Sequence, residues 1–73
     1  MWQAKFTAVK TGDEYGSCMI AGDTYQEAKT KAVKWLCHVL DKPQLGIGAI
    51  HSFGHTIYYQ DKKLGLLNIA KLN

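Results

Sequence analysis

Asp23 to Pro43, DTYQEAKTKAVKWLCHVLDKP, is the stretch on which the fold turns. Thr24, followed three residues later by Glu27, has the spacing of a capping box, which satisfies the first free N–H groups of a helix. Ala28, Ala32, Trp35, Leu36 and Val39 recur at i, i+4, i+7, i+8 and i+11, one side of a 3.6-residue period. Asp41-Lys42-Pro43 closes the helix, because Pro43 has no N–H and drives Lys42 out of the helical region. The apolar side of this helix needs cover, with Trp35 expected at its centre among Phe6, Met19, Ile57 and Leu36. Thr30, Val33 and Cys37 fall on the outward side near Gln26, a stripe less polar than a solvated helix face.

The flanking segments read as strands. Trp2 to Lys10 alternates Trp2, Ala4, Phe6 and Ala8 against Gln3, Lys5, Thr7 and Val9, the pattern of a half-buried strand. Thr11 to Glu14 is turn chemistry. Tyr15 to Ala21 then forms a second strand, with Met19 and Ala21 expected toward the helix and Cys18 and Ile20 away from it. After the helix, Ile47 to Ser52 and Thr56 to Gln60 form a second hairpin around Ser52-Phe53-Gly54, with Gly54 in the left-handed position and His51 opposite His55. That register places Ile47, Ala49, Ile57 and Tyr59 on one side, and Ile50 and Tyr58 on the other. Asp61 to Gly65 reads as a turn, and Leu66 to Leu72 as a last strand or a helical turn. The fold class is α+β: one domain over residues 1–73, an antiparallel four- or five-stranded sheet with one helix on one face, ββαββ with room for a fifth strand.

Composition narrows the function. With 73 residues there is one core, and a domain this small buries only about 60% of its unfolded surface. The net charge of +3 comes from nine lysines, and the chain has no arginine. Arginine forms the bidentate contacts that sequence-specific DNA readers use. Lysine alone leaves nonspecific phosphate attraction, an acidic partner, or plain solubility. Two cysteines, Cys18 and Cys37, make no disulfide framework. No apolar run has membrane-spanning length, so the expectation is a cytoplasmic protein with reduced thiols and no membrane contact.

No chemical constellation stands out. Cys18, Cys37, His38, His51 and His55 could each bind a metal, but none has finger-type spacing, and zinc needs three or four converging ligands. The acids Asp13, Glu14, Asp23, Glu27, Asp41 and Asp61 sit in turns or at helix ends, where caps and dipoles explain them. Cys37 beside His38 is no dyad by adjacency, since nucleophile and base must meet in space. Gly46-Ile47-Gly48 lacks the strand-to-helix setting and the Lys-Ser/Thr of a phosphate loop. The reading is a non-enzyme with no cofactor, no metal and no catalytic residue.

What remains is surface. One helix cannot cover both sides of the sheet, so the other side faces water, a second subunit or a partner. Lys5, Thr7, Ile20, Ile50 and Tyr58 are the candidate contact residues there, as aliphatics and a tyrosine rimmed by lysine. Lys31 and Lys34 on the helix are the further candidates. Self-association as a homodimer and a foreign partner are equally open, with weak nucleic-acid contact through lysine as a third course.

Two resemblances bear on the partner. Ala21-Gly22-Asp23-Thr24-Tyr25-Gln26-Glu27-Ala28, with Ala32, resembles the strand-to-helix corner of HicB-type antitoxins, and Lys5-Phe6-Thr7-Ala8-Val9 is similar to their first strand. It covers less than half the chain, without the family's Pro-rich segment and with a long hairpin that family lacks. It implies an antitoxin-type partner protein. The order hairpin, helix, hairpin in a short lysine-bearing chain resembles several small phage anti-CRISPR proteins. That resemblance rests on topology and size and transfers no residue. It implies a module that inhibits a host protein or ribonucleoprotein complex by occupying its surface.

Overall fold

The computed structural model describes residues 1–9, 12, 14–51 and 54–72, with the side chains of Glu14, Tyr15 and His51 outside that description. In chain order the elements are β1 (Trp2–Ala8), β2 (Glu14–Ile20), α1 (Tyr25–Leu40), β3 (Gly46–His51), β4 (Gly54–Tyr59) and β5 (Lys62–Lys71). The strands form one antiparallel sheet in the order β2-β1-β5-β4-β3. The expected α+β fold is therefore the observed one, with the fifth strand present. β5 is the central strand, pairing β1 on one side and β4 on the other. The turn expected over Asp61 to Gly65 shrinks to Gln60-Asp61, both at positive φ (50° and 64°), as a two-residue hairpin loop of the I′ kind requires. Gly65 reads as turn punctuation but is a strand residue. A Cβ there would strike the Thr7 carbonyl and the Phe6 ring, which lies across it.

Thr24 caps the helix as the spacing predicts, while the return contact of Glu27 falls on the Asp23 N–H rather than on that of Thr24. Thr24 Oγ1 accepts from the Glu27 N–H at 3.2 Å, and Glu27 Oε2 lies 3.5 Å from the Asp23 N–H. At the other end α1 stops at Leu40, before Pro43 acts. Asp41 takes the left-handed conformation, its N–H meets the His38 carbonyl at 3.3 Å, and the Lys42 N–H meets the Cys37 carbonyl at 2.9 Å. Those two bonds are a Schellman ending. The buried side is Ala28, Ala32 and Leu36. Tyr25, Val33, Trp35 and Leu40 flank it, partly buried and packed on the core. Trp35 is half-buried rather than central, Val39 is exposed, and Val33 belongs to the inward side rather than the outward stripe. Two alanines let the helix lie close over β2, β1 and β5, where Trp2 and Phe6 of β1 and Leu67 of β5 supply the bulk.

Strand phase in β2 and a bulge in β3 account for the strand residues that lie opposite to expectation. In β2, Gly16 has φ 83°, and Tyr15 and Gly16 together oppose Phe6, because Lys5 pairs Ser17 while Thr7 pairs Glu14. The register puts Ile20 opposite Trp2 and Met19 opposite Gln3. Ile20 is thus in the core at 4% exposure, and Met19 stands outside at 56%, the reverse of the expected phase. In β3, Gly48 and Ala49 together oppose Thr56, so Ile50 pairs His55 and His51 pairs Gly54. The expected His51–His55 pair is not made. Ile50 lies on the helix side of the sheet, opposite to Tyr58, and remains 59% exposed on β3, an edge strand outside the helix footprint. Ser52 and Phe53 of the expected loop lie outside the described residues. Gly54 has φ 114° and opens β4.

Candidate contact surface

The polar groups nearest the core serve the fold. His55, at 5% exposure, has Nδ1 2.8 Å from the Gly48 carbonyl, which can only accept; Nδ1 therefore carries the proton, and Nε2 accepts from the Tyr25 hydroxyl at 2.5 Å. The chain from hydroxyl to imidazole to carbonyl joins the first turn of α1 to the bulge in β3. Burial raises the pKa of Tyr25 above its ordinary 10.0, so the hydroxyl remains a donor rather than an activated nucleophile. Trp2 meets Tyr25 edge-on at 5.7 Å, and its Nε1 donates to the Gly22 carbonyl at 3.0 Å. Tyr25 and His55 are the residues for which sequence reasoning finds no role. A tyrosine in the first helical turn and a histidine in an apolar strand are the available signals, but their meeting depends on the β3 bulge.

Two concave places among the described residues carry no converging chemistry. A cavity of about 380 Å³ between the Pro43–Gly46 loop and Tyr58–Gln60 is lined by neutral side chains. Cys37, His38 and Asp41 line an open groove at the C-terminal end of α1, yet among the described residues no three of His, Cys, Asp and Glu gather as a metal would need.

The side of the sheet away from the helix is the larger surface. Register places Gln3, Lys5 and Thr7 of β1 on it, with Glu14, Ser17 and Met19 of β2, Leu66, Asn68 and Ala70 of β5, and Thr56, Tyr58 and Lys63 of β4 and β5. Lys5 is exposed near its middle, Thr7 is half-buried, and Tyr58 is 38% exposed with its ring against Gly48. Lys5, Thr7 and Tyr58 of the expected set therefore share this face. Ile20 does not, being core, and Ile50 does not, being on the other side. Met19 takes the place expected for Ile20. Met1 and Leu72, joined by a backbone hydrogen bond, extend the exposed apolar corner that Met19 and Ala70 begin.

The helix candidates separate. Lys31 Nζ donates to the Ala21 carbonyl at 2.6 Å and ties the β2–α1 corner. Lys34 is exposed. Two more lysines lie over aromatic rings on the helix side: Lys42 above Tyr59 at 4.7 Å and Lys71 above Trp2 at 5.9 Å. No helix among the described residues is long and apolar enough to cross a membrane. Comparisons with protein-family models, with curated proteins and with solved structures returned no match for this chain.

Proposed function

We propose that this chain is a non-catalytic binding protein of the bacterial cytoplasm. It inhibits a host macromolecular complex by covering part of that complex's surface, as the anti-CRISPR proteins that it resembles in size and topology do. The observation that carries the binding part is the helix-free sheet face, where Met19 and Tyr58 stand exposed around Lys5. Met19 lies with Met1 and Leu72 at one corner of that face and Tyr58 at another, and an exposed apolar cluster like that corner supports a contact site. The inhibitory part rests on size and topology alone. The antitoxin reading draws on the Ala21–Ala28 corner, where the structure gives the residues fold roles: Ala21 and Gly22 accept from Lys31 and Trp2, and Thr24 and Glu27 cap the helix.

The test is DNA cleavage by a panel of purified CRISPR nuclease complexes with the protein added. Stoichiometric inhibition of at least one complex is expected, lost in the double variant Met19→Glu/Tyr58→Glu while its melting temperature stays within a few degrees of the parent. No inhibition of any complex removes the inhibitory reading. Inhibition that survives both charges moves the contact away from this face.

A further inference from the structure

We draw no further inference here: the strongest candidate, the exposed apolar corner of Met1, Met19 and Leu72 on the helix-free face of the sheet, belongs to the contact surface already described, and nothing in the structure shows what covers it.

Discussion

Leu36 has no exposed surface, while Trp35 beside it keeps part of its indole in water. Leu36→Ala should therefore cost about 2–5 kcal/mol, more than Trp35→Ala, and paired denaturation midpoints would show the order. Tyr25→Phe removes one hydroxyl and leaves His55 Nε2 buried without its donor, a cost of about 1–3 kcal/mol. It should also change the alkaline limb. The folded state holds the Tyr25 proton to higher pH than the unfolded chain does, so this contribution is full below pH 10.0 and is lost as pH rises through the raised value. Stability measured across that range should fall less steeply in Tyr25→Phe than in the parent; equal slopes would show that Tyr25 titrates alike in both states. The Ala28, Ala32 and Leu36 spacing is readable because it is local. That Trp35 is a flank rather than the centre is not, because it depends on which way the helix leans across a sheet made by distant residues.

At the level of elements, the helix ends and the β4–β5 turn can be tested separately. Thr24→Ala should cost about 1 kcal/mol through the lost cap and leave binding unchanged, as thermal melts with a binding assay would report. Gln60 and Asp61 both sit at positive φ without being glycine. Gln60→Asn with Asp61→Gly should therefore raise stability by up to about 1 kcal/mol, read from the same melts; a drop would mean that Asp61 makes contacts worth more than its strain. Helix, hairpins and fold class are legible because capping and alternation are written in neighbouring residues. Strand phase is not. Glu14 to Ile20 alternates weakly on both sides, and one extra residue at Gly16 or at Gly48–Ala49 exchanges the faces of everything beyond it. The candidate surface shows the same division: Lys5, Thr7 and Tyr58 precede or avoid a bulge and fall on the expected side, whereas Ile50 follows one. The error at Ile20 is one of phase: Cys18 and Met19 offer no contrast by which to choose.

For the molecule as a whole, the two hairpins β1–β2 and β3–β4 share no ladder with each other; β5 joins them. Amides of β1 and β4 that face β5 should exchange with solvent at one common opening energy, in step with those of β5. Hydrogen exchange that releases β4 well before β1 would show two independent units instead. Trp2, at the start of β1, pairs with Lys71, at the end of β5. During translation the β1–β2 hairpin leaves the ribosome with one long edge bare, and nothing made before Lys62 can close it. The helix and the second hairpin emerge into that open state. Until β5 is synthesised the nascent chain has a naked strand edge, the feature that invites pairing with other chains. The protein therefore folds after translation of its central strand, and a message cut before Lys62 would yield a product for quality control rather than a smaller working domain.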